Sequence, residues 1–126
     1  MKSIRGAIAV VENNYQDILD SSKLLINTIL EQNKINESEI INVIFTVTSD
    51  LTKAFPAKAF RELGMNSVSA LDTSAPNIDN DLPGCIRIMM NISKDINDIK
   101  SIVDMMGGEF SKPYVEKIYL ANNKET

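Results

Sequence analysis

Residues 84–92, with the sequence GCIRIMMNI, show the alternation of a β-strand and contain one side chain that does not match its neighbours. A strand places successive side chains on opposite faces. One face of this strand is apolar throughout, whereas Arg87 interrupts the other. A guanidinium keeps its proton in proteins, and a buried charge without a partner costs several kcal/mol or more. The stretch therefore predicts a sheet strand that presents a permanent cation to an anionic partner.

A second arginine repeats this pattern near the N-terminus. Residues 3–11 (SIRGAIAVV) predict a first strand in which Arg5 shares its face with the small side chains of Ala7 and Ala9. Neither this run nor residues 85–90 contains an acid. A single arginine in a strand is as readily an edge or interface residue as a ligand-binding one. Two of them in apolar surroundings favour an anionic ligand.

Composition limits the chemistry that such a ligand could undergo. The 126 residues predict one domain over residues 1–121, followed by a polar tail at residues 122–126. The chain has no histidine, and its one cysteine, Cys85, allows no internal disulfide; His-based acid/base catalysis and nearly all zinc sites are excluded. A net charge of −4 argues against a general nucleic-acid or membrane surface. With no apolar run of roughly 20 residues and no secretion signal, we expect a cytoplasmic protein.

The order of predicted elements indicates an α/β (α+β) fold. A long amphipathic helix that includes Tyr15 on its apolar face should end near residue 34, and a short helix should run from residue 56 to 63. A second long helix is predicted at residues 95–106. The remaining predicted strands are residues 40–48, 67–72 and 112–121. A mixed five-stranded sheet with helices on one face follows, and its other face should be covered by another subunit.

Three strings, taken together, point to a known family: residues 4–7 (IRGA), 55–63 (FPAKAFREL) and 85–90 (CIRIMM). In this order and at these separations they resemble the monofunctional α/β class of chorismate mutase, over about residues 3–92. The resemblance implies a trimeric pseudo-α/β-barrel with active sites between subunits. It also implies rearrangement of chorismate to prephenate, in phenylalanine and tyrosine biosynthesis, without cofactor or metal.

The resemblance also implies roles for particular residues. Arg87 would stabilise negative charge on the ether oxygen as its bond breaks and would hold a carboxylate, while Arg5 would pair with the enolpyruvyl carboxylate region. Tyr114 would assist through its hydroxyl, with Tyr119 as the alternative. A second set of residues would line the pocket mouth from the adjacent subunit: Phe55, Ala57, Lys58 and Arg61.

The chain departs from the family pattern in the loop after the third strand. Ala75 stands where the family has a glutamate that accepts the substrate's ring hydroxyl, and Asp72 stands where the family tends to have cysteine. Our hypothesis is that the carboxylate of Asp72 replaces that glutamate, with Thr73 and Ala75 also in the substrate pocket. Beyond the last strand, Lys124 is the one basic residue left to assist substrate capture.

Plainer interpretations of the same residues remain open. Lys58 could form a solvated pair with Glu62, Asp72 could cap a turn, and Asp79 and Asp81 have the character of solvated loop residues. Tyr114 could be ordinary strand packing. Two other functions also fit the arginines: an imine/enamine deaminase of similar trimeric architecture, and a non-catalytic carboxylate-binding module that lost the acid at position 75.

Overall fold

The computed structural model describes residues 1–94, 101–106 and 119–121. We number six strands and two helices in chain order, with a short 3₁₀ turn at Glu37–Glu39 before β2. They are β1 (Lys2–Ala9), α1 (Tyr15–Asn33), β2 (Ile40–Val47), α2 (Lys58–Glu62), β3 (Ala70–Ser74), β4 (Ile86–Ile92), β5 (Ser101–Met106) and β6 (Tyr119–Ala121). No helix in these described ranges is long and apolar enough to span a membrane.

The strands form one mixed sheet in the order β3-β2-β4-β1-β5-β6. The pairs β1·β5 and β2·β3 are parallel, and β1·β4, β2·β4 and β5·β6 are antiparallel. The α/β class and the mixed sheet are therefore confirmed, but the described part of the sheet has six strands where we predicted five.

The additional strand is β5, which lies within the predicted helix at residues 95–106. That prediction is wrong for Ser101–Met106, and residues 95–100 lie outside the described residues. The apolar spacing of this segment fits a helical face, but the buried strand β1 has an edge that needs backbone partners, and β5 supplies them in parallel register. Tyr119–Ala121 confirms the end of the predicted last strand. The rest of that strand lies outside the described residues.

Helix α1 covers one face of the sheet, as its periodicity predicts. It begins where the Asn14 side chain accepts the backbone N–H of Asp17 at 2.8 Å, and it ends at Lys34 in the left-handed conformation. The rings of Phe45 and Phe60, 6.0 Å apart between centroids, join β2 to α2. The helix-side core is almost fully buried and includes Ile4, Ile8, Ile18, Leu25, Val43, Phe45, Ile86, Ile88, Met90 and Ile92.

The opposite face of the sheet, here called the open face, is not covered by a helix among the residues that the structure describes. Large apolar side chains lie exposed on it, namely Ile44 (36%), Leu71 (65%) and Met89 (38%). Register places Arg5 and Arg87 on this same face. The sheet therefore separates an apolar, helix-covered core from a cationic and partly apolar open surface.

Candidate active site

The two arginines occupy neighbouring strands at the centre of the open face. Arg5 on β1 lies opposite Met89, and Arg87 on β4 lies opposite Ala7. They are therefore diagonal neighbours, whose Cα atoms lie about 7 to 8 Å apart in an antiparallel pair of strands. Both arginines are half-buried in the single chain.

Arg87 has a protein partner that the sequence analysis missed. Its Nη2 lies 3.3 Å from Oδ2 of Asp81, and the two side chains are 41% and 35% exposed. Asp81 is an exposed loop residue, as its sequence context indicates, but it also forms this ion pair. The acid lies outside the strand itself, six residues earlier, and a loop conformation brings it back.

A cleft lies at the edge of the sheet, where β2 and β3 end and α2 begins. It has a volume of about 380 Å³ and is lined in part by Tyr15, Phe55, Lys58, Asp72 and Thr73. The side chain of Phe55 projects into solvent with 72% of its surface exposed. An adjoining cavity of about 310 Å³ adds Ala57 and Arg61 to the same group. The fold thus brings together the four residues predicted to line a pocket mouth.

Asp72 belongs to this cleft and not to the arginine face. Asp72 pairs with Phe45, so its side chain lies on the helix side of the sheet. Its neighbour Thr73 pairs with Thr46, which pairs in turn with Arg87, so Thr73 lies on the face of the arginines. The half-buried Asp72 accepts the backbone N–H of Ala57 at 3.0 Å through Oδ1. Burial raises the pKa of the Asp72 carboxyl, and the hydrogen bond from Ala57 opposes that shift. Within one chain, the carboxylate and Arg87 lie on opposite faces of the sheet.

Comparison with known proteins identifies the family of this chain. A sequence model of the family described as chorismate mutase type I matches residues 1–105. The chain belongs to that family. It is 41% identical over 90 residues to the chorismate mutase AroH of Thermus thermophilus, covering 71% of this chain and 74% of the relative. Identity to the chorismate mutase AroH of Bacillus subtilis (strain 168) is 33% over 97 residues, 76% of each chain.

A solved structure gives the same result at the level of the fold. The chorismate mutase from Clostridium thermocellum superposes with a TM-score of 0.79 at 36% identity, covering 88% of this chain and all of that one. The resemblance seen in the three strings is confirmed. The chain is an isomerase of the chorismate mutase class, and the deaminase and non-catalytic alternatives are not favoured.

In this chorismate mutase, Lys58 is held by a residue that sequence reasoning assigned to the apolar face of α1. Its Nζ lies 5.0 Å from the centroid of the Tyr15 ring, and interaction with Tyr15 is the largest cause of its raised pKa. Tyr15 is 44% exposed and donates to Oε2 of Glu62 at 3.3 Å. Glu62 forms its ion pair with Lys23 at 2.6 Å, so the Lys58–Glu62 pair, one of the open interpretations, gives way to a tertiary one. The sequence feature that could have indicated this role is the position of Tyr15 in the first turn of α1.

Position 75, where the resemblance implies a glutamate, adds no polar side chain to the site. Ala75 is buried, and its backbone N–H extends the β2·β3 ladder by donating to Val47 at 2.9 Å. Tyr114 and Lys124 lie outside the described residues. The backbone of Tyr119 lies in β6, paired with Val103.

Proposed function

We propose that this chorismate mutase rearranges chorismate to prephenate in clefts shared between the subunits of a homotrimer, without cofactor or metal. The observation that carries the proposal is the division of the site between two faces. Arg5 and Arg87 lie on the open face, whereas Phe55, Lys58 and Asp72 line a cleft at the sheet edge. One chain does not direct both groups at one ligand, but a second copy can supply the missing half.

The open face supports such an assembly. Ile44, Leu71 and Met89 expose apolar surface next to the arginines, and burying such surface favours association. A partner placed on this face would also remove water from around the guanidinium groups. Their interaction with an anion would strengthen accordingly, because charges attract more strongly in a medium of low dielectric constant.

The chemistry proposed for the arginines follows from the substrate. Chorismate is a dicarboxylate whose ether C–O bond breaks ahead of C–C bond formation, so negative charge grows on the ether oxygen. A fixed guanidinium at that oxygen stabilises the transition state more than the ground state. We assign this role to Arg87, which would also hold a carboxylate of the substrate, and assign the enolpyruvyl carboxylate region to Arg5. Holding the flexible side chain over the ring lowers the barrier further.

The cleft residues complete the pocket from the neighbouring subunit. Because Oδ1 of Asp72 already accepts the N–H of Ala57, Oδ2 is the oxygen we assign to the ring hydroxyl of chorismate. Lys58 and Arg61 attract the dianion at the mouth, with the ring of Phe55 beside them. The proposed set is completed by Ala57, Thr73, Ala75, Tyr114 with Tyr119 as the alternative, and Lys124.

Complementation between two inactive variants tests the shared site. Arg87→Ala removes one half, and the double variant Lys58→Ala/Asp72→Asn removes the other. In trimers formed from equal amounts of the two, random assortment leaves about one quarter of the sites with both halves intact. We therefore expect the mixture to regain about one quarter of wild-type turnover, measured as loss of chorismate absorbance. Native mass spectrometry of the mixture, which must show trimers that contain both variants, is the control for subunit exchange.

Two further results would contradict the proposal. Absence of chorismate turnover by the wild type removes the function, and absence of any regained activity removes the shared site. The trimer itself predicts a particle of about three times the 14.0 kDa chain mass by light scattering. We also propose that the enzyme acts in the cytoplasm, in aromatic amino-acid biosynthesis.

A further inference from the structure

The ion pair between Arg87 and Asp81 means that an internal acid already occupies one edge of the cation assigned to the substrate. The contact joins Nη2 of Arg87 to Oδ2 of Asp81 at 3.3 Å. Each side chain retains more than a third of its surface in solvent. A single contact of this kind holds a guanidinium weakly and leaves its other donors available to a ligand.

The loop that carries Asp81 is fixed to the body of the protein just after this residue. Gly84 has a φ of +62°, and a Cβ on it would lie 2.4 Å from the backbone oxygen of Val11. Backbone hydrogen bonds of 3.0 Å join Val10 to Pro83 and Val11 to Gly84. Gly84 also donates to Oδ2 of Asp50 at 2.9 Å. Asp81 therefore stands three residues before a well-anchored point and is not at the tip of an untethered segment.

Asp81 is also oriented by its own backbone surroundings. Its Oδ1 accepts the N–H of Leu82 at 2.9 Å, and its N–H donates to the carbonyl of Ile78 at 3.2 Å. These bonds direct Oδ2, the remaining carboxylate oxygen, towards Arg87. An asparagine at this position would keep an acceptor for Leu82 while removing the negative charge.

We propose that Asp81 is the resting counter-ion of Arg87 and sets the affinity of the site for its dianionic substrate. The inference rests on the proposed function of Arg87. A carboxylate of the substrate replaces Asp81 at Nη2, and the displaced carboxylate then remains close to the bound dianion as a like charge. Both effects weaken binding of the substrate in its ground state and its transition state to a similar extent, so they change affinity more than the turnover of bound substrate. Asp81 is accordingly an affinity-determining residue, not a catalytic one.

The test compares Asp81→Asn with Asp79→Asn. The control removes the same charge from the same exposed loop, at a residue without a described contact to Arg87. We expect Asp81→Asn to lower KM for chorismate by about two- to fivefold at low salt, the range that one exposed pair supports. Its kcat should change by less than about twofold. Binding of the product prephenate, measured by calorimetry, should strengthen by a similar factor.

Salt provides a second readout that a merely structural role would not move. The difference between wild type and Asp81→Asn should shrink between about 0.05 and 0.5 M salt, since exposed charges are screened. An unchanged or raised KM, an equal effect of Asp79→Asn, or a large loss of kcat in Asp81→Asn would each overturn the inference. The last result would place Asp81 in the reaction itself. All of these outcomes presuppose wild-type turnover, whose absence would instead remove the proposed function.

Discussion

Gly84→Ala should destabilise the protein strongly, because two separate features of the structure require glycine at this position. Its φ of +62° lies in the left-handed region, which costs other residues about 1 to 2 kcal/mol. An added Cβ would also lie 2.4 Å from the backbone oxygen of Val11 and 2.6 Å from its nitrogen, so one of the two segments must move. That movement stretches the bonds Val11–Gly84 and Val10–Pro83, each contributing about 0.5 to 1.5 kcal/mol.

Together these effects amount to about 2 to 5 kcal/mol in the free energy of unfolding. Gly64→Ala is the matched control: its φ of +79° carries the same conformational cost, but nothing lies within 4 Å of the added Cβ. We expect about 1 to 2 kcal/mol there. Thermal melts at one fixed protein concentration should show the two variants separated, at about 4 °C per kcal/mol. Equal melting temperatures would refute the claim that contact with Val11 fixes this turn.

Substitutions at three positions of the site give further predictions. Arg87→Lys keeps the positive charge but loses the planar, forked donors of the guanidinium, so kcat should fall by about 10²- to 10³-fold. Circular dichroism should show that the fold is intact. A loss in kcat of less than about tenfold would contradict the role assigned to Arg87. Burial raises the pKa of Asp72 above its ordinary 3.8, so the unfolded chain releases this proton first as pH rises. Relative to Asp72→Asn, the free energy of unfolding of the wild type should therefore fall as pH rises from 3.8 to the raised pKa of Asp72, and it should stay lower at higher pH. Urea titrations would contradict this if the free energies of the two proteins changed in parallel with pH. Tyr15→Leu removes the aromatic ring beside Lys58 and should raise KM for chorismate by about two- to fivefold. Tyr15→Phe keeps the ring and should retain most of the affinity. Identical KM values in the two variants would count against a contribution from the contact between Lys58 and the ring.

Strands β1 and β4 could be predicted from sequence because alternation is a local property. The faces of β4 assigned from the spacing of Ile86 and Ile88 are the faces observed, and Arg87 lies on the side that the pattern gave it. Helix α1 was equally accessible, since its apolar positions recur at helical spacing and Asn14 caps its start. Such features depend on neighbours a few residues away, and those neighbours are visible in the sequence.

Features that depend on distant partners were predicted incorrectly. Strand β5 has apolar positions that suit either a helix or a strand, and the parallel partner that selects the strand is β1, at the other end of the chain. Glu62 has Lys58 four residues before it, yet it pairs with Lys23 from α1. Likewise, the anchored turn at Gly84 brings Asp81 to Arg87, and only the folded loop shows this. For β5 and Glu62, a tertiary contact replaced the local one that the sequence suggested; for Asp81, the sequence suggested no contact.

The division of β4 between two faces explains how a stable fold can hold charged groups in fixed positions. Its core face is buried to 3% exposure or less at Ile86, Ile88, Met90 and Ile92. A slip of one residue would move this whole set into solvent, so burial of the core face fixes the register. Because Arg87 alternates with these residues, the same burial also fixes the position of its backbone on the open face. The free energy that holds the strand in place therefore comes from residues that do not touch the ligand, and the cation can be optimised for chemistry without being needed for folding.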